Sequence, residues 1–109
     1  MENTANAVPL AKPLRYLTVR ILYPRPEALE DVLAAVSKVA AEARRHPGLV
    51  EIGAWWDSAN QRLVSISLWE SAEQAREATR DMHALFADIP WAAWERQAAE
   101  NLLGLQRMV

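Results

Sequence analysis

No cysteine occurs anywhere in the chain, which excludes disulfides, thiolate metal sites and a cysteine nucleophile. Only two histidines are present, His46 and His83. Their spacing has nothing of the His-x-x-x-His kind, so a metal site is not expected. Glycine is equally scarce: Gly48, Gly53 and Gly104 are the whole supply, and they are scattered, so there is no glycine-rich loop to cradle a phosphate. No block of like charge stands out. Twelve Lys and Arg stand against fourteen Asp and Glu, and the basic stripe of a nucleic-acid binder is missing. No apolar run approaches the roughly 20 residues of a membrane span, and the first ten residues lack the pattern of a secretory signal. The expectation is therefore a cytoplasmic protein bound to neither nucleic acid nor membrane.

What the chain does have is a globular composition. Its 109 residues are 51% hydrophobic and 24% charged, which suits one folded domain. Residues 1–13 show no period and are read as a flexible leader; the domain is expected over 14–109. From Leu14 to Leu22, Leu17, Val19 and Ile21 alternate with Tyr16, Thr18 and Arg20, the period-two pattern of a strand. Pro26 then opens a helix. Leu29, Val32, Leu33, Val36, Val39, Ala40 and Ala43 form its apolar stripe, and Pro47-Gly48 ends it.

Residues 49–56 and 62–69 alternate around the turn residues Asp57-Ser58-Ala59-Asn60, as a hairpin does. Ser71 and Gln74 make a capping box for a second helix bearing Ala75, Ala78, Met82, Leu85 and Phe86. After Pro90, a short helix is expected over 91–99. Leu102 to Val109 read as the last strand. The order strand, helix, strand, strand, helix, strand is the split βαβ arrangement of a ferredoxin-like α+β fold. Its four-stranded antiparallel sheet would carry both helices on one face.

The run Arg62-Leu63-Val64-Ser65-Ile66-Ser67-Leu68-Trp69-Glu70-Ser71-Ala72-Glu73-Gln74-Ala75 resembles the third strand and second helix start of the antibiotic biosynthesis monooxygenase superfamily. His46-Pro47-Gly48-Leu49 resembles that superfamily's helix-to-strand junction. The resemblance extends in element order over roughly residues 14–109. It implies a dimeric α/β barrel in which two sheets face one another, and a ligand cavity between sheet and helices of each subunit. It also implies an oxygenase without metal or flavin, acting on a small aromatic or polyketide-like substrate. Haem-degrading enzymes and proteins of unassigned role share the superfamily, and fold does not choose among them.

Trp69 matches the superfamily's strand-end Trp. A catalytic role there would use its stacking face and N–H; the plainer alternative is a core Trp. His83, on the second helix, would be a general base or haem ligand, or a half-exposed helix residue. Haem-degrading relatives pair such a His with an Asn on the first strand, and this first strand has none. Tyr16 and Arg20 on the first strand, with Ser65 and Ser67 on the third, are candidate substrate-binding groups for an apolar pocket. Arg20 would hold a phenolate or carboxylate, or else sit in an interface or at a wet edge. Trp55 and Trp56 necessarily point to opposite sides of their strand. Trp55 and Trp91 are counted as substrate-binding candidates, with packing at a dimer interface as the alternative. No cofactor is expected. The partners expected are a second copy of the chain and a small aromatic ligand, and a non-catalytic ligand-binding domain is the competing reading.

Overall fold

The computed structural model describes residues 15–109; the leader expected over 1–13, and Leu14, lie outside the described residues. Strand β1 (Tyr16–Leu22) leads through a 3-10 turn (Pro26–Ala28) into α1 (Leu29–Ala43). The hairpin β2 (Leu49–Asp57) and β3 (Arg62–Trp69) precedes α2 (Ala72–Leu85), a single-turn α3 (Trp91–Trp94) and β4 (Glu100–Leu105). The sheet order is β2-β3-β1-β4 with every neighbouring pair antiparallel. This is the ferredoxin-like α+β fold read from the element order.

The register assigns the two faces. Tyr16, Thr18, Arg20 and Leu22 stand opposite Trp69, Ser67, Ser65 and Leu63. Side chains alternate across a strand, so these eight share one face, joined by Ile52, Ala54 and Trp56 from β2. That face carries the helices. Leu22 and Leu63 pack with Val32 of α1 into one buried cluster. Trp69 packs with Ala43 of α1 and with Ala75 and Ala78 of α2 into another. Each fully buried Leu or Val there contributes about 1.5–3 kcal/mol. The opposite face bears Leu17, Val19, Ile21, Val64, Ile66 and Leu68, all half-buried, and the exposed Trp55 and Leu102. No described helix covers it.

Local chemistry explains the joints. Gly48 takes φ +94°, the left-handed region glycine enters without strain. A Cβ there would sit 2.5 Å from the Gln74 side chain, while its carbonyl accepts the Glu70 N–H at 2.7 Å. Ser71 caps α2 by accepting the Gln74 N–H at 3.2 Å, and its hydroxyl donates to Gln74 Oε1 at 3.0 Å. At the hairpin turn, Asp57 is held below its ordinary value of 3.8 chiefly by the Asn60 side chain and then by Arg62.

Three expectations are corrected in detail. The short helix expected over 91–99 stops at Trp94, because Glu95 is extended and bridges Pro24. The last strand runs Glu100–Leu105, earlier than expected. Of the two apolar stripes, Leu33 and Leu85 are exposed, while Ala35 is buried in place of the former.

Candidate functional site

Between the two buried clusters lies a strip of polar side chains on the helix-facing side of the sheet. The Thr18 and Ser67 hydroxyls are 2.5 Å apart, directly opposite one another in the register. Trp69 Nε1 donates to Ser67 Oγ at 3.2 Å. An indole N–H, a serine and a threonine thus form a short relay on a surface that is otherwise apolar at both ends. Trp69 itself is only 3% exposed. It offers its polar edge to the relay and its rings to the core, where Met82 and Tyr16 also reach it.

One step along β1, the row changes from hydroxyl to charge. Arg20 pairs in register with Ser65 on β3 and with Asn101 on β4, so all three occupy the same face of neighbouring strands. Arg20 is exposed. Its guanidinium carbon lies 5.4 Å from the ring centroid of Trp91, within cation–π range. Trp91 meets Trp94 edge to face at 5.9 Å, and both pack on the Leu22–Val32–Leu63 cluster. A groove of about 430 Å³ opens here, lined by Arg20, Trp91, Glu95, Arg96 and the chain to Ala99.

The wall of this groove is fixed from behind. Glu95, 8% exposed, accepts the Tyr23 N–H at 3.0 Å through Oε1. Arg25 N–H donates to the Trp94 carbonyl at 2.7 Å, and Arg96 N–H to that of Tyr23 at 2.9 Å. The Arg96 guanidinium donates to the Asn60 and Gln61 carbonyls and stands 5.3 Å from the Tyr23 ring centroid. Arg96 is therefore committed to structure. Arg20 has no carboxylate partner within ion-pair distance among the described residues.

The arrangement brings Tyr16, Arg20, Ser65, Ser67 and Trp69 onto one face, with Trp91 against Arg20. It does not bring Trp55 there: Trp55 pairs with Val64 on the opposite, uncovered face and is 53% exposed. His83 is exposed in the last turn of α2, without a place in the relay or the groove. Glu95 and Asn101 are not singled out as site residues by the sequence, whereas Thr18 shares the strand face of Tyr16 and Arg20 there. Asn101 had no signal, since its place beside Arg20 depends on the β1–β4 register. Glu95 was hidden in a segment whose period reads as helix.

No protein-family model matches the chain, and no curated protein matches it. Solved structures do. A putative antibiotic biosynthesis monooxygenase from Nitrosomonas europaea superposes with a TM-score of 0.76 at 14% identity, over 89% of this chain and 93% of its own. SnoaB, a cofactor-independent oxygenase from Streptomyces nogalater, gives 0.66 at 21% identity, over 88% and 96%. A conserved protein from Methanosarcina mazei Go1 gives 0.77 at 12%, over 87% and 95%. The chain has the fold of the antibiotic biosynthesis monooxygenases. At these identities the shared property is the backbone path, and chemistry has to be argued from side chains. Trp69 closes the third strand of this chain and anchors the relay. Among the described residues, no group of three His, Asp or Glu is placed to hold a metal ion, and no helix is long and apolar enough to cross a membrane.

Proposed function

We propose that this chain is a cofactor-independent monooxygenase for a small, flat, hydroxylated aromatic compound bound on the helix-facing side of the sheet. The observation that carries this reading is Arg20, free of a carboxylate partner among the described residues and stacked on Trp91 beside the Thr18–Ser67–Trp69 relay. Such a set suits a planar ligand that becomes an anion. Trp91 offers a stacking face. Arg20 draws an anionic ligand into the groove by its charge. Thr18 and Ser67 offer hydrogen bonds to a ring oxygen. Glu95, buried in the same groove, is the proton acceptor at hand.

The chemistry balances without a further reductant. The phenol loses its O–H proton, and the electron-rich ring delivers electrons to dioxygen. A carbon–oxygen bond forms at a ring C–H, and the oxygen–oxygen bond breaks. One oxygen atom becomes the new quinone carbonyl. The other leaves as water with the two hydrogens of the phenol O–H and the ring C–H. Oxygen uptake with anthraquinone formation from 9-hydroxyanthracene, one oxygen atom of the product coming from dioxygen, with no cofactor added and at least about ten-fold slower in Arg20→Ala, is the expected result. Binding of that phenol with no oxygen consumed would instead make this a ligand-binding domain, the reading favoured by the near-complete burial of Trp69.

The same proposal includes a homodimer in the cytoplasm. The uncovered face, with Val19, Ile21, Val64, Ile66 and Trp55, is an apolar sheet surface of the kind that pairs with another. Light scattering at micromolar concentration should give twice the chain mass. A monomeric mass unchanged in Ile66→Glu would remove the dimer from the proposal.

A further inference from the structure

Building on the substrate class just proposed, we infer that the groove at Arg20 and Trp91 is a carboxylate site, and that the aromatic substrate is an acid anchored there. Three observations converge on it. The first is geometric. Arg20, Ser65 and Asn101 lie side by side on three neighbouring strands and on one face. Arg20 is the charged member of that row, and its guanidinium reaches over Trp91 at the mouth of the groove. A guanidinium fork matches the two oxygens of a carboxylate.

The second is charge. The groove holds two guanidiniums, Arg20 and Arg96, against the one carboxylate of Glu95. Glu95 faces the Tyr23 N–H and Arg96 faces the hairpin carbonyls. Among the described residues lining the groove, Arg20 is the cation left to meet a ligand, and they carry an excess of one positive charge.

The third is spacing. Thr18 and Arg20 are two residues apart on one strand, about 7 Å along it. A ligand held by its carboxylate at Arg20 places a neighbouring ring, not the same substituent, at the Thr18 and Ser67 hydroxyls. The acid group and the reacting oxygen therefore sit on separate parts of the ring system. Trp91 supplies a flat wall against Arg20.

Calorimetric titration with 3-hydroxy-2-naphthoate and with 2-naphthol tests this directly, because the two differ only by the carboxylate. Wild-type protein should bind the acid at least about ten-fold more tightly, as expected for a charge-assisted pair. The preference should weaken as salt is raised from 50 to 500 mM. Arg20→Ala should erase it, leaving the two probes with similar affinities, and Arg20→Lys should keep part of it. Equal affinities in the wild type, a preference that survives Arg20→Ala, or no binding of either probe at millimolar concentration would each overturn the inference. Circular dichroism of the variants excludes misfolding, which an exposed Arg20 makes a minor concern. The outcome is separable from turnover. Acid preference without oxygen uptake keeps the carboxylate site and removes the oxygenase; uptake with neutral phenols and no acid preference does the reverse.

Discussion

Replacing Trp69 with Phe removes one donor and three ring atoms from the buried core, and its cost can be apportioned. Trp69 Nε1 donates to Ser67 Oγ at 3.2 Å, a long neutral hydrogen bond worth about 0.5–1 kcal/mol net. The indole is 3% exposed among Ala43, Ala75 and Ala78, small residues that cannot swell into the gap. The cavity adds about 1–2 kcal/mol. Trp69→Phe should therefore lose about 1.5–3 kcal/mol, and a domain of this size should melt roughly 6–24 °C lower. Ser67→Ala orphans both the Trp69 N–H and the Thr18 hydroxyl, at about 1–3 kcal/mol. In the double variant the lost N–H bond is counted only once, so the pair should fall short of additivity by about 0.5–1 kcal/mol. Urea unfolding followed by far-ultraviolet circular dichroism is the right assay, since fluorescence changes when a Trp is removed. Strict additivity, or a loss below 1 kcal/mol in Trp69→Phe, would show that the relay does not bind Trp69 to Ser67.

Three further outcomes are expected. Gly48→Ala forces a Cβ into Gln74 at a φ of +94° and should cost about 2 kcal/mol, partly relieved in a Gln74→Ala background, as urea midpoints will report. Arg96→Ala unties the hairpin turn from Tyr23; being exposed, it should lose about 1 kcal/mol or less, and faster amide exchange at Asn60 and Gln61 is the signature to look for. Asp57 has its carboxyl pKa depressed below 3.8, first by Asn60 and then by Arg62. The stability linked to it is present above pH 3.8 and is lost as pH falls through the lower folded value. Carbon-detected NMR titration should find the Asp57 midpoint below 3.8 in wild type and closer to it in Asn60→Ala.

The fold was legible because its elements announce themselves by period and punctuation. The bounds of β3 at Arg62 and Trp69, and the cap at Ser71, follow from alternation and from one serine before one glutamine. The segment 91–99 was misread for a physical reason. Trp91, Trp94 and Ala98 have helical spacing, but the unpaired end of β1 at Tyr23 and Pro24 captures Glu95 and Arg96 first. Tertiary hydrogen bonds outweigh a short run of propensity. The site was half legible. Alternation alone groups Tyr16 with Thr18 and Arg20, and Ser65 with Ser67. It says neither which group faces the helices nor that Trp55 turns away, since both depend on pairing register and on where the helices lie. Asn101 is placed beside Arg20 only by the pairing of β4 with β1, from opposite ends of the chain.

The polar relay also divides the interior. Leu22, Val32 and Leu63 make one buried group, while Ala43, Trp69, Ala75 and Ala78 make another, with the Thr18–Ser67 contact between them. An interior split this way has a seam. All three hydrogen-bonding groups stand on the sheet, so the seam keeps its donors and acceptors in place while the apolar clusters on either side hold the helices down. A polar edge of a flat molecule would therefore meet partners already oriented before it arrives. A sheet with an unbroken apolar floor would be sturdier and closed to visitors.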